Sequence, residues 1–185
     1  MDRRQNLEGY IFLVLFCLTI PAANWLIGHV GTVCQPAGAC LIPVAPGLMA
    51  LSGVIMAGAA LVLRDLVQRR LGVAASSLAI LAGAVLSALL APPALVIASA
   101  AAFFLSEFAD LAVYTPLARR GLIIAVVASG VVGLVVDSVV FLWLAFGSLE
   151  FLLGQIVGKA WMVLFSISCV GWLRRRDARL GIATV

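Results

Sequence analysis

Long apolar runs alternate with short polar gaps along most of this 185-residue chain. Crossing the hydrocarbon of a bilayer takes roughly 17–25 helical residues. Six segments are long and apolar enough: about 8–30, 45–63, 72–91, 94–115, 121–146 and 150–173. The third and fourth meet at Pro92-Pro93. Proline lacks an amide hydrogen and restricts the residue before it, so the pair is a natural stop. The fifth and sixth meet at Gly147-Ser148, without which residues 121–173 would form one implausible rod. Five spans with one re-entrant segment is the competing count. The pattern predicts an all-α polytopic integral membrane protein, a six-helix bundle in which a single transmembrane domain accounts for residues 1–185.

The polar gaps set the orientation. Arg3 and Arg4 precede the first span; Arg64, Arg69 and Arg70 separate the second from the third. Arg119 and Arg120 separate the fourth from the fifth, and Arg174, Arg175, Arg176 and Arg179 follow the sixth. With six spans every arginine falls on one face, which the positive-inside rule makes cytoplasmic, together with both termini. An odd number of spans would scatter the arginines over both faces. Only 11% of residues are Asp, Glu, Lys or Arg, against about 25% in soluble domains. The formal charge of +4 thus reflects membrane topology and does not imply nucleic acid. The apolar run at the N-terminus is long and more spans follow, which argues against a secretory signal peptide.

The longest external connection, about 31–44, holds Cys34, Gln35, Pro36, Cys40 and Pro43. Both cysteines lie on the oxidising side in this topology, so a disulfide closing a small loop is admissible, although spacing alone does not fix pairing. Cys17 and Cys169 fall inside spans and read as small buried hydrophobes. Glycines such as Gly154 and Gly158, at a spacing that lets helix backbones approach closely, read first as packing sites.

Charges within the apolar segments carry the candidate chemistry, because a charge at the bilayer centre costs about 2.5–3.5 kcal/mol on insertion scales and normally faces protein or a polar cavity. Glu107 and Asp110 are three apart and share one face of the fourth span, with Ser106 and Tyr114 extending it. Asp110, nearer the cytoplasm, has the alternative of interfacial water or of pairing with Arg119 or Arg120. Ser129, Gly133 and Asp137 form a narrow stripe on the fifth span. Asp137 and Lys159 stand at similar distances from the Gly147-Ser148 turn, about 15–17 Å at the helical rise. An ion pair between them follows, either as a structural clamp or as a substrate-responsive pair. Gln155, one turn outward of Lys159, and Asn24, after Pro21 in the first span, offer amides that donate and accept. Trp161 and Phe104 are the stacking candidates for a flat ligand; Trp25, Trp143 and Trp172 read as interface anchors. Arg64 and Asp65 close the second span as a cytoplasmic rim pair or a gate. Polar groups gathered inside such a bundle suit binding or moving a polar solute.

Other chemistries find no footing. The chain has no phosphate-binding glycine loop and no zinc-ligand cluster, and its one histidine, His29, lies in an external segment. No nucleophile and base stand at a common depth. No enzyme activity, metal or cofactor is expected. The expected partners are a small-molecule substrate and the lipid bilayer, with no direct contact to nucleic acid and homo-oligomerisation left open.

At the acidic motif the chain resembles a known family. The run Ser106 to Tyr114 followed by Leu117-Ala118-Arg119-Arg120 is similar to the fourth-span signature of the bacterial queuosine precursor transporters, the VUT family. The stretch from Ser129 through Asp137 to Phe141 resembles that family's fifth span, and Gly154-Gln155 through Lys159 its sixth. Arg64 to Gly72 resembles a diverged form of the loop after span two. The resemblance implies a multi-pass protein of the bacterial cytoplasmic (inner) membrane, related in outline to the six-helix substrate-binding subunits of vitamin uptake systems. It implies uptake of 7-cyano-7-deazaguanine or 7-aminomethyl-7-deazaguanine, the 7-deazapurines that supply a transfer RNA modification. Glu107, Asp110, Asp137, Gln155, Lys159, Asn24, Trp161 and Phe104 would form the substrate site. Two further readings stay open: a substrate-capture subunit that requires an energising partner, and a structural membrane protein whose charges only fasten helices.

Overall fold

Turning polar groups inward and apolar ones outward is what a chain of this composition must do in lipid, and the helices do so. In a computed structural model describing residues 3–34 and 39–181, the largest fully buried side chains include Arg64, Lys159 and Glu107. Leu78, Leu89, Ile97 and Phe165 face outward. The chain runs through α1 (Arg3–His29), β1 (Val33–Cys34), β2 (Cys40–Ala45), β3 (Leu48–Leu51), α2 (Val54–Leu90), a 3-10 turn (Pro93–Leu95), α3 (Val96–Leu117), α4 (Leu122–Phe146) and α5 (Leu152–Arg179). Among the described residues, five helices are long and apolar enough to cross a membrane. This is the pattern of a mostly helical, multi-pass membrane protein.

The expected second and third spans are joined in α2, whose helical backbone is broken at Gly72 (φ 86°, ψ 174°). That conformation is open to glycine and almost closed to residues with a Cβ. Phe16 of α1 packs in one cluster with both Ala60 and Ala79. In one straight helix those alanines would stand about 28 Å apart, so the chain doubles back at Gly72. The arm 54–71 runs antiparallel to α1, with Gly53 against Ile27 and Gly9 against Leu71. The arm 73–90 runs the other way, placing Gly83 against Ile20.

The helix expected over 45–63 begins only at Val54; residues ahead of it form a three-stranded antiparallel sheet in the order β1-β2-β3. The break is local chemistry. Pro46-Gly47, with Gly47 at φ 73°, turns β2 into β3 with Ala45 opposite Leu48, as a proline followed by a positive-φ glycine does in a tight turn. Pro43 is tolerated because β1 pairs only with Cys40 and Leu41, leaving β2 an edge at that position. Cys34 and Cys40, directly opposed in the register, are joined by a disulfide. Gln35 and Pro36 of the same connection lie outside the described residues.

The sheet sits on the small-residue face of α5. A Cβ on Gly154 would collide with the Met49 carbonyl oxygen of β3, and one on Gly158 would meet Val54 at 2.9 Å. The glycine pair therefore receives the hairpin and the start of α2. We expect Gly154→Ala to lower the thermal unfolding temperature in detergent by the equivalent of about 1–3 kcal/mol. Gly171→Ala, whose Cβ meets open space, should unfold like the parent. Equal unfolding of the two variants would exclude the packing role.

Candidate functional site

Buried ion-pair clusters and a recess occupy the interior. The first cluster is centred on Arg64, on the first arm of α2 and fully buried. Its guanidinium meets three carboxylates: Asp65 at 2.7 Å, Asp110 at 2.6 Å and Glu107 at 3.3 Å. Arg64 Nη1 also donates to Gln68 Oε1 at 3.0 Å, and the guanidinium lies 5.6 Å from the centroid of the Tyr114 ring. Ser129 of α4 donates its hydroxyl to Asp65 at 3.1 Å. A planar fork with five donors suits this many acceptors, which a lysine ammonium would not.

Arg64 and Asp65 do pair, but the helix continues past them to Gly72, and the pair packs against α3. Asp110 pairs with Arg64 rather than with Arg119 or Arg120. The rim is held by other residues. Asp177 of α5 accepts from Arg69 at 2.6 Å and Arg70 at 2.9 Å, and Glu8 of α1 meets Arg70 at 2.9 Å and Arg176 at 2.6 Å. Neither Glu8 nor Asp177 stood out in the sequence, because each falls beside an arginine run and reads as an ordinary solvated charge.

The second cluster joins α4 to α5. Lys159 Nζ lies 2.5 Å from Asp137 Oδ2 and donates to Ser138 Oγ at 2.8 Å. Equal depth on adjacent antiparallel helices places the two charges together, as the spacing from the Gly147 turn anticipates. Ser106 of α3 donates to the other Asp137 oxygen at 3.4 Å. Glu107, the next residue along α3, belongs to the Arg64 cluster. The two clusters are therefore consecutive parts of one polar thread.

Asp137 keeps 17% of its side chain exposed. It opens into a recess of about 80 Å³, partly open to the surroundings. Lys159, Gln155 and Asn24 share that wall, with Thr19, Ser87, Ser99, Phe103 and Phe141. The Asn24 amide nitrogen is committed to the Ile20 carbonyl at 3.0 Å. Of the candidates, Asp137, Lys159, Gln155 and Asn24 meet here, whereas Glu107 and Asp110 lie behind them in the Arg64 cluster. Trp161 is 57% exposed, with its indole nitrogen donating to the Val44 carbonyl at 3.1 Å, so it faces away from the recess. Phe104 also turns outward, against Phe108. Phe103 takes the inward place, because neighbouring helical residues point about 100° apart. Ser99, Phe103, Ser106, Glu107, Asp110 and Tyr114 recur at three- and four-residue spacing. Tracing that one face of α3 would have found the aromatic that reading single residues missed.

Residues 87–174 match the family model described as "Putative vitamin uptake transporter". The matched stretch runs from the end of α2 through α3 and α4 and along most of α5. It contains Glu107, Asp110, Asp137, Gln155 and Lys159, and stops short of Arg64 and Asn24. The resemblance of the last crossings to a transporter family is thus shown. No curated protein and no solved structure matches the chain.

Removing one partner of a buried ion pair costs about 3–5 kcal/mol because the other charge is left unpaired. Arg64→Met strands three carboxylates at once and is expected to give little folded protein in detergent. Lys159→Met should cost less, since Asp137 still reaches the recess, and the double variant Asp137→Asn/Lys159→Met should regain part of that loss. A thermal-unfolding double-mutant cycle reads this directly; a Lys159→Met protein as stable as the parent would remove the pair from the account.

Proposed function

We propose that this chain, whose last crossings carry a vitamin uptake transporter pattern, takes up a 7-deazapurine precursor of queuosine across the bacterial cytoplasmic membrane. The reading treats the arms of α2 as two crossings, which makes six in all. Every arginine then returns to the cytoplasmic face with both termini.

The recess carries the proposal. It is mostly apolar with a few placed polar groups, the pattern of small-molecule sites. Phe103 and Phe141 supply aromatic walls for a flat ring. Asp137 accepts from the ring N–H and exocyclic amine of a guanine-like edge. Lys159 donates to the carbonyl, and Gln155 serves either partner. Asn24, which lines the recess from α1, serves the substituent at position seven. Glu107 and Asp110 act from behind, holding the Arg64 cluster against which α3 is set. A ligand with an adenine-like edge would leave buried donors and acceptors unmatched at about 1–3 kcal/mol each. In this account the Asp137–Lys159 pair responds to substrate, because its carboxylate is the exposed one.

A substrate-capture subunit driven by a separate energising protein would use the same recess. Uptake by the purified chain alone in liposomes would exclude an obligate partner. For the ligand itself, thermal unfolding in detergent is expected to shift upward with 7-cyano-7-deazaguanine or 7-aminomethyl-7-deazaguanine and much less with adenine. Asp137→Asn should weaken the response roughly tenfold or more, the equivalent of one charged hydrogen bond. Equal shifts with every purine, or none with any, would overturn the assignment.

A further inference from the structure

A second cavity lies at the opposite end of α3 from the Pro92-Pro93 turn. It is a cleft of about 330 Å³, open to the surroundings, between the α3–α4 turn, the end of the first α2 arm and the end of α5. Arg69, Arg119, Arg120 and Arg174 line it, together with Tyr114 and the first residues of α4. Arg69 is paired with Asp177. Arg119, Arg120 and Arg174 are exposed and have no acidic partner among the described residues.

Two features make this more than a basic rim. Tyr114 is 2% exposed, yet it lines the cleft, and its hydroxyl makes no hydrogen bond among the described residues. A buried phenol normally finds a partner, so this one is presented to whatever fills the cleft. The N-terminus of α4 also begins there, at Gly121 and Leu122, without a side-chain cap. Its first amide hydrogens have no intrahelical acceptor, and the helix dipole favours negative charge at that end. Converging arginines, a free hydroxyl donor and an uncapped helix start are all complementary to one chemistry, a tetrahedral oxyanion.

We propose that this cleft binds a phosphate group, carried either by the headgroup of an acidic phospholipid or by a free phosphate. It sits where apolar helices end, and basic pockets between membrane helices hold such groups. The other side of the Tyr114 story is Arg64, whose guanidinium lies against the same ring. A ligand on the hydroxyl is therefore one side chain from the buried cluster. The proposal stands whether or not the recess binds a deazapurine.

Thermal unfolding of the full chain in detergent tests it, with sodium phosphate against sodium chloride at matched ionic strength, and dioctanoyl phosphatidylglycerol against dioctanoyl phosphatidylcholine. A saturable upward shift with phosphatidylglycerol beyond both phosphatidylcholine and phosphate assigns the lipid headgroup. A shift with phosphate that phosphatidylglycerol does not exceed assigns the free anion. Arg119→Gln/Arg120→Gln should abolish the response. Tyr114→Phe, which keeps every charge and the ring, should weaken it roughly tenfold. No shift beyond the chloride and phosphatidylcholine controls, or an undiminished response in both variants, would overturn the site.

Discussion

A guanidinium with no access to water has to be satisfied by protein, and Arg64 sets the arrangement of the helices around it. Its partners come from its own helix and from α3, and Asp65 in turn is held by Ser129 of α4. The donor fork is planar and the acceptors are short, so three helices meet at fixed rotations about their axes. Apolar contacts between helices in lipid are weakly directional, since lipid tails are as apolar as leucine. A hydrogen-bonded charge cluster supplies the direction they lack. The Asp137–Lys159 pair does the same between α4 and α5, and the Glu8–Arg70–Asp177 network ties α1, α2 and α5 at the rim.

The recess is a consequence of where those braces are placed. Arg64 and Lys159 face four carboxylates, Asp65, Glu107, Asp110 and Asp137. Three of the four are enclosed with Arg64. Asp137 alone keeps an exposed fraction, and it opens where α1, both arms of α2 and the sheet diverge. Structural fastening and solute binding therefore need not compete for the same atoms. The enclosed carboxylates hold helices; the partly open one, paired with Lys159, borders the recess. The contact from Ser106 to Asp137, beside Glu107, makes the two regions neighbours on one face of α3.

Spacing along the chain leaves side-chain direction and local breaks open. Phe104 and Phe103 have identical chemistry and adjacent positions, and only the facing of α3 decides which ring enters the recess. Trp161 was chosen for its depth, yet α5 turns it outward. Arg64 and Asp65 looked like a rim pair because charges at the end of an apolar run usually are. The helix continues beyond them to Gly72, which puts them inside. The strands at 40–51 were hidden by apolar composition, although Pro46-Gly47 was there as a turn signal.

Apolar segment lengths, the placement of arginines between them and the depth of each intramembrane charge are properties of spacing along one dimension. They were sufficient to establish a multi-pass helical protein and to put Asp137 opposite Lys159. Facing is a property of three dimensions. It depends on which neighbouring helix can supply a partner to each buried group, and that is decided only when all the helices pack together. The tertiary structure alone could therefore join Arg64 to α3, fold α2 back on itself at Gly72, and separate the carboxylates that fasten the bundle from the one that lines its recess.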